Sequence, residues 1–472
     1  MFVGRMNELN LLEEAYRSDK GKLVVIYGRR RVGKSSLVDA FLKEKSGCYA
    51  FEAIENVHTD QQIVHFTQFL KSCLDDPALE CIRFKSWENV FTYLTDRLIK
   101  RSSKKKLVLF FDEFQWMASG RSQLVSLIKY FWDNHWKKNN VMLILCGSIA
   151  SFMVKKVLSS KALYGRVSLE ILLKGLRPDE VVPLFKRKRS KEEILKYLLV
   201  FGGIPRYLEE IDLNKSFNQN INHLCFRNNA LMLREVERIF YSQFRETKTY
   251  LDIVRLLLKG IYTMEEISHT VGIASGGGLK QYLDNLEMAE IIRSYIPYNK
   301  KINTKLRKYA LGDEFFIFFF QFVEPNLRAI QESRSKKLFE TLTEKKLDVW
   351  LGFAFERFCI KYAGLLSEAM GFSDEVLAAS PYFCKKDRGF QIDLLYTRAD
   401  KVITLCEIKH QAKPISTAVI PEVKRKCALL KIPRGYSLEM ALISLYGPDQ
   451  SLKDSKYFHH SVMLENIFSL KN

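Results

Sequence analysis

Gly28-Arg29-Arg30-Arg31-Val32-Gly33-Lys34-Ser35 carries the densest chemical signal in the chain. Two glycines bracketing four residues let a backbone wrap closely around a phosphate, so that several N–H groups point inward. Lys34 then adds a point charge for the β- and γ-phosphates of a nucleotide, and the Ser35 hydroxyl can ligate Mg²⁺. The loop follows the hydrophobic run Leu23–Gly28 and opens a helical run at Ser36. Such a site needs a carboxylate at the end of a neighbouring strand, and Leu107–Glu113 supplies two. Asp112 would hold the metal, and Glu113 would polarise the attacking water, the role that separates hydrolysis from binding. Taken alone, an acidic pair ending a strand is also what a solvated turn looks like. Ser148, closing a third strand, either senses the γ-phosphate or is a simple helix cap before Ile149. Arg166 either brings charge to the phosphates, in cis or from a neighbouring subunit of an oligomer, or is an ordinary surface arginine.

A second cluster lies near the other end. Ile392–Tyr396 reads as a strand carrying Asp393, and Val402–Lys409 as a strand carrying Glu407 and Lys409. Residues i and i+2 of a strand share a face, so Glu407 and Lys409 project together. A turn at Arg398–Lys401 would bring Asp393 opposite them. Paired carboxylates hold Mg²⁺ or Mn²⁺ through hard oxygens, and a lysine beside them can stabilise or deprotonate the water that attacks a phosphodiester. Glu356, on the helical stretch Leu347–Tyr362, would complete the metal shell. The competing reading is a mixed sheet in which Glu407 and Lys409 form a surface ion pair worth about 0–1 kcal/mol.

The elements that must position these groups follow from the hydrophobic rhythm. Leu23–Gly28, Leu107–Glu113 and Val141–Ser148 are nearly unbroken apolar runs, the pattern of strands buried on both faces of a parallel sheet. Longer helical stretches such as Trp87–Arg101 separate them, which implies an α/β layer fold. The expected division is a core at 1–175, a helical lid at 176–244, a small helical module at 245–330 and a second α/β domain at 338–472. In the third segment, one helical face (Leu251, Val254, Leu257, Leu258, Ile261) precedes a helix at Met264–Val271 with Thr263 as N-cap and Glu266 three positions on. A helix at Leu279–Met288, a strand at Ile291–Ile296, a basic tip (Asn299-Lys300-Lys301) and a returning Arg307–Leu311 complete a winged helix-turn-helix order. Lys280, Lys300, Lys301, Lys305, Arg307 and Lys308 would supply DNA phosphate contacts; the alternative is an internal packing module.

The bulk properties fit a chain of 472 residues in about three domains. Hydrophobic residues at 47% and charged residues at 27% exclude wholesale disorder. Lys and Arg outnumber Asp and Glu by 74 to 54, a formal charge of +20 that favours polyanionic partners, nucleic acid or an anionic membrane face. Nine scattered cysteines without C-x-x-C spacing argue against a disulfide framework or a zinc ribbon. The polar opening lacks a signal-like apolar core, and the greasiest run, Phe315–Val323, is about half a membrane span. The expected location is the cytoplasm, without stable membrane insertion.

The opening Phe2-Val3-Gly4-Arg5, the phosphate loop, Asp112-Glu113-Phe114-Gln115, Leu163-Tyr164-Gly165-Arg166 and Gly202-Gly203-Ile204-Pro205-Arg206-Tyr207-Leu208 together resemble the prokaryotic archaeal-type P-loop ATPases, on the AAA+/STAND side of that class. The resemblance implies a P-loop NTPase parallel sheet with a helical lid, ATP and Mg²⁺ as ligands, and nucleotide contacts at Arg5 and Pro205. It also expects a winged helix. The D…E-x-K arrangement is similar to the PD-(D/E)XK nucleases, and Gly352–Glu356 looks like the start of the domain of unknown function attached to many such ATPases. That likeness implies an α/β restriction-endonuclease-like domain, although no Pro precedes Asp393. The combined expectation is an ATP hydrolase coupled to a DNA-binding, DNA-cleaving domain. The rival is an ATP-dependent switch or scaffold in signalling or defence, whose nuclease-like domain is inactive and binds a partner.

Overall fold

In the computed structural model, residues 2–100, 106–120, 122–244, 246–298, 300, 305–384 and 389–469 are described. Arg101, Asn299 and Lys301, named above, lie outside them. The chain forms two compact units, Met1–Leu176 and Arg177–Asn472.

The first unit is built on five parallel strands: β1 (Lys22–Tyr27), β2 (Cys48–Glu52), β3 (Leu107–Asp112), β4 (Val141–Gly147) and β5 (Val167–Leu172), in the order β2-β3-β4-β1-β5. Every residue of β3 and β4 is buried, as is all of β1 after Lys22, which is why these three read as continuous apolar runs. The edge strands β2 and β5 have half-exposed faces and escaped that pattern. β1 sits between β4 and β5: the chain runs from β1 to β2 at one edge, comes back through β3 and β4, and passes over β1 to reach β5 at the other edge. That reversal opens a crevice at the carboxyl ends of the strands, where ligands of open α/β sheets bind.

The second unit begins with helices, among them Lys191–Phe201, Pro205–Leu208, Phe217–Cys225 and Glu235–Gln243. Helix Thr247–Leu258, strand β6 (Tyr262–Thr263), helices Met264–Val271 and Gly277–Met288, and strands β7 (Ile292–Tyr295) and β8 (Lys308–Leu311) follow, with an antiparallel sheet ordered β6-β8-β7. Thr263 caps its helix reciprocally: Glu266 N–H donates to Thr263 Oγ1 at 3.2 Å, and Thr263 N–H to Glu266 Oε2 at 2.6 Å. The apolar run near Phe315 is neither strand nor membrane segment. It is helical, and its phenylalanines are buried. Phe315 meets Phe201 and Tyr207, Phe316 meets Phe240, and Phe318 meets Phe226, Phe339 and Trp350. One aromatic core therefore joins segments that the rhythm of the sequence separates.

The unit ends in a mixed sheet: β9 (Val376–Cys384), β10 (Phe390–Arg398), β11 (Val402–Lys409), β12 (Ser437–Ser444) and β13 (His460–Met463), in chain order across the sheet. The β9–β10 and β10–β11 pairs are antiparallel, the β11–β12 and β12–β13 pairs parallel. Helix Leu347–Lys361 precedes the sheet, and helix Ile420–Leu429 crosses from β11 to β12. Among the described residues, no helix is long and apolar enough to cross a membrane.

Candidate nucleotide site and a carboxylate–lysine cluster

The phosphate loop leaves β1 at Gly28 and enters helix Lys34–Leu42 through Gly33. A Cβ on Gly28 would lie 2.2 Å from the Leu173 carbonyl oxygen, so only glycine lets the chain pass there. Gly33 has φ 88°, a left-handed conformation that glycine adopts without a Cβ penalty. Between them Arg31 is also left-handed, at φ 73°. Arg29 is buried, Val32 is fully buried, and Arg30 reaches outward to Glu55 at 2.9 Å. Buried Lys34 donates to the Arg29 carbonyl at 3.0 Å, which holds the ammonium against the loop's own backbone.

Ser35 and Ser36 are exposed in the first turn of that helix. Ser35 Oγ donates to Asp112 Oδ2 at 2.5 Å, so the two hard-oxygen ligands expected for a cation converge although 77 residues separate them. Four carboxylates crowd this end of the sheet. Burial, then Asp112, raises the pKa of Asp39; burial, then Asp112 and Glu113, raises that of Glu52. Crowding of this kind suits a divalent cation.

Glu113 stands at φ 49° immediately after β3. Its Oε2 accepts from Ser148 Oγ at 2.7 Å and from the Gln115 amide. Gln115, 2% exposed, grips Ser148 with both ends: its Nε2 donates to Ser148 Oγ at 3.1 Å, and its Oε1 accepts from the Ser148 N–H at 3.2 Å. Sequence reasoning placed Gln115 in the family motif that follows Asp112 and gave it no role of its own. A cavity of 330 Å³ opens beside Glu113, lined also by Arg30, Glu52, Glu55, His65 and Trp116.

Arg5 is buried beneath the loop. Its guanidinium donates to the carbonyls of Val32 at 3.1 Å and Lys174 at 2.5 Å, tying the loop to the end of β5. Arg166 forms a two-pronged bond with Asp133, 2.8 Å at each prong. This pairing holds the Asp133 carboxyl below its ordinary range. Pro205, in the second unit, takes the first position of helix Pro205–Leu208, where its missing N–H costs nothing.

In the carboxy-terminal sheet, Leu394 pairs with Cys406, which sets Asp393 and Glu407 across from each other. Asp393 Oδ2 accepts from the Ile408 N–H at 3.0 Å. Glu407, 1% exposed, lies 2.7 Å from Lys409 and 2.7 Å from Lys426. Buried Glu407 is thus no surface ion pair. Lys426 went unnoticed in the sequence, though it sits three residues after buried Val423 on an apolar helical stripe, an odd place for a lysine. Burial, then the Glu407 charge, raises the pKa of Asp393; burial, then the Asp393 charge, pushes Glu356 up to about 7. Burial alone would lower Lys409, but the bond to Glu407 together with the charges of Glu407, Asp393 and Glu356 raises it. Glu356 therefore senses the Asp393 charge, and Asp393 the Glu407 charge. Among the described residues, however, no group of three His, Cys, Asp or Glu side chains closes into a metal cage.

The cations proposed for DNA contact are partly engaged. Lys280 pairs with Asp284 at 2.7 Å and Lys308 with Glu266 at 3.2 Å, and Arg307 donates to Ser294 Oγ at 3.0 Å.

Residues 2–211 match the model of an "ATPase domain predominantly from Archaea", and residues 319–420 match "Archaea bacterial proteins of unknown function". An uncharacterized protein of Methanocaldococcus jannaschii is 30% identical over 413 residues, 87% of each chain. An uncharacterized ATP-binding protein of Pyrococcus horikoshii is 23% identical over 265 residues, covering 50% of this chain and 82% of that one. Among solved structures, the Walker-type ATPase of Pyrococcus abyssi superposes with a TM-score of 0.50 at 22% identity, over 68% of this chain and 96% of that one. That likeness speaks for the fold alone.

Proposed function

The chain belongs to the archaeal-type P-loop ATPases, and from that premise we propose that it binds and hydrolyses Mg²⁺–ATP in its first unit and acts on DNA through its carboxy-terminal domain. The observation that carries the first half is the 2.5 Å approach of Ser35 Oγ to Asp112, with Glu113 oriented beside it by Ser148 and Gln115. Ser35 and Asp112 would hold Mg²⁺, which when bound neutralises charge on the phosphate oxygens. The loop N–H groups from Gly28 to Ser36 bind phosphate, and Lys34 exchanges the Arg29 carbonyl for phosphate oxygens. Glu113 orients the attacking water and accepts its proton. Ser148, bonded to the same Glu113 oxygen, registers whether that carboxylate is in place. Arg5 positions the loop from below, and Arg166 reaches phosphate only by leaving Asp133. In calorimetry and phosphate-release assays, Lys34→Ala should lose nucleotide uptake, and Glu113→Gln should keep uptake and lose turnover. A Lys34→Ala protein that hydrolyses ATP at the parent's rate overturns the assignment.

For the second half, the helix–strand order from Thr247 to Leu311 supports a winged helix as the DNA-facing module. The convergence of Asp393, Glu407 and Lys409 supports a Mg²⁺- or Mn²⁺-dependent phosphodiester site, with Glu356 as a further ligand. Lys409 would hold the attacking water, and Lys426 would hold Glu407 in place. Undiminished DNA cutting by Asp393→Ala in Mn²⁺ would remove this assignment. One observation favours the second reading, an ATP-dependent switch whose nuclease-like domain binds a partner. Both Glu407 oxygens face lysines, which neutralise the charge that a metal would use.

A further inference from the structure

Strand β7 and helix Leu347–Lys361 bring two arginines together. Arg293 Nη1 donates to the Arg357 carbonyl oxygen at 3.3 Å, a weak bond and the one hydrogen bond the guanidinium makes among the described residues. Arg357 lies 5.9 Å from the centre of the Trp350 ring and has no ion pair among those residues. The nearby carboxylate, Glu314, bonds Lys361 Nζ through both of its oxygens at 2.8 Å and reaches the two arginines only through its charge, without a hydrogen bond to either among the described residues. Burial lowers the pKa of Arg293.

Two more groups complete the pattern. Tyr295 Oη, two residues along β7 from Arg293, and Trp350 Nε1, two helical turns before Arg357, are buried atoms without hydrogen-bond partners among the described residues. Side chains two apart in a strand, and seven apart in a helix, share a face. The cluster thus offers two guanidinium forks, an indole N–H and a phenol O–H, with almost nothing to accept from them. Unpaired buried donors such as these are costly, and two half-buried cations without an ion pair add to that cost. A group that is all acceptor and carries negative charge relieves both, and paired guanidiniums match the oxygens of a phosphate in particular.

We propose that Arg293 and Arg357 form a seat for a phosphate group, taken either from a nucleic-acid backbone or from free phosphate. Arg357 follows Glu356 directly, and consecutive helical residues point about 100° apart. The seat therefore lies beside the Glu356–Asp393–Glu407 cluster and outside it. In its backbone form, the proposal rests on the DNA-directed reading of this domain and assigns the arginines to holding a phosphate next to the one attacked.

The test uses the full chain carrying Lys34→Ala, so that the amino-terminal loop does not dominate phosphate uptake. Calorimetry with inorganic phosphate should register binding, weakened about tenfold or more by Arg293→Gln or by Arg357→Gln. Arg357→Lys, which keeps the charge and loses the fork, should fall between. Circular dichroism matching the parent shows that the variants are folded. Equal phosphate affinity in parent and both Gln variants, or no uptake by the parent, overturns the seat. A labelled duplex then separates the sources. If the slope of log affinity against log salt flattens by about 1–2 in the Arg293→Gln/Arg357→Gln protein, the backbone is the source. An unchanged slope with arginine-dependent phosphate uptake assigns the seat to free phosphate. A parent that binds phosphate but no DNA sinks the DNA-directed reading and leaves the seat standing.

Discussion

Gln115→Leu isolates the orientation of Glu113 from its chemistry. Leucine has similar volume and suits a position 2% exposed, so packing should survive. What disappears is a bond to the Glu113 carboxylate and both bonds to Ser148. A hydrogen bond to a charged group contributes about 1.5–3 kcal/mol. Loss of the carboxylate's preferred direction should therefore raise the barrier to hydrolysis by about 1.4–2.7 kcal/mol, a 10- to 100-fold fall in kcat. ATP affinity, measured by calorimetry, should stay within about twofold, because no loop group is touched. Removing the acceptor itself, Glu113→Gln, should cost about 10²–10⁴. The decisive measurement is the double variant. If Gln115 acts through Glu113, adding Gln115→Leu to Glu113→Gln should slow turnover no further. An equal penalty in both backgrounds, or a loss confined to ATP affinity with kcat intact, would show that Gln115 merely holds the fold.

Three other substitutions probe how the two sites are held. Gly28→Ala drives a methyl group to within 2.2 Å of the Leu173 carbonyl, so it should cost about 2–3 kcal/mol in thermal unfolding and abolish nucleotide uptake. Arg5→Ala strips the Val32 and Lys174 carbonyls of a charged donor and should cost about 3 kcal/mol, with weaker ATP binding at unchanged kcat. Lys426→Met leaves Glu407 with the more exposed Lys409 alone and should cost about 2 kcal/mol, most of it recovered when Glu407→Gln is added.

The residues that were legible in the sequence are those whose chemistry is local. Lys34 and Ser35 announce themselves through the glycines beside them, and Asp112 and Glu113 through the fully buried strand they terminate. Glu407 and Lys409 share a strand face by spacing alone. Strands β2 and β5 were missed because an edge strand with an exposed face has no continuous apolar run. Gln115 was read only as part of a motif and Lys426 was missed, because their importance is a matter of tertiary contact: Lys426 meets Glu407 across a helix crossover, 19 residues on. Arg293 and Arg357 are further removed still, joined only when β7 is laid against a helix that begins 52 residues after it. Phe315–Phe322 shows the same limit for packing, since its hydrophobicity was plain while its place at the centre of the second unit was not.

Whether the carboxy-terminal carboxylates form a cation site or a neutralised switch can be decided without observing DNA cleavage. Burial, then the Asp393 charge, pushes Glu356 up to about 7 from an ordinary value near 4.5, although Arg357, Lys409 and Lys426 pull the other way. A carboxyl raised in the folded state binds its proton more tightly there than in the unfolded chain. In chelator, its contribution is therefore most favourable at and below the unfolded value, and stability is lost as pH rises from about 4.5 through about 7. The full shift corresponds to about 3.4 kcal/mol at 1.36 kcal/mol per pH unit. Because Glu356 is only part-buried, solvent screening reduces this to about 1–2 kcal/mol. Glu356→Gln should accordingly melt higher than the parent above pH 7, with the gap closing below pH 4.5. A gap that is constant with pH would remove the electrostatic explanation. Adding Mn²⁺ then discriminates between the readings. A cation held by Glu356 and Asp393 supplies the missing positive charge, so the parent's melting temperature at pH 8 should rise to meet or pass that of the variant. If the two lysines already complete the charge balance, Mn²⁺ should leave the gap unchanged, and the domain is a switch.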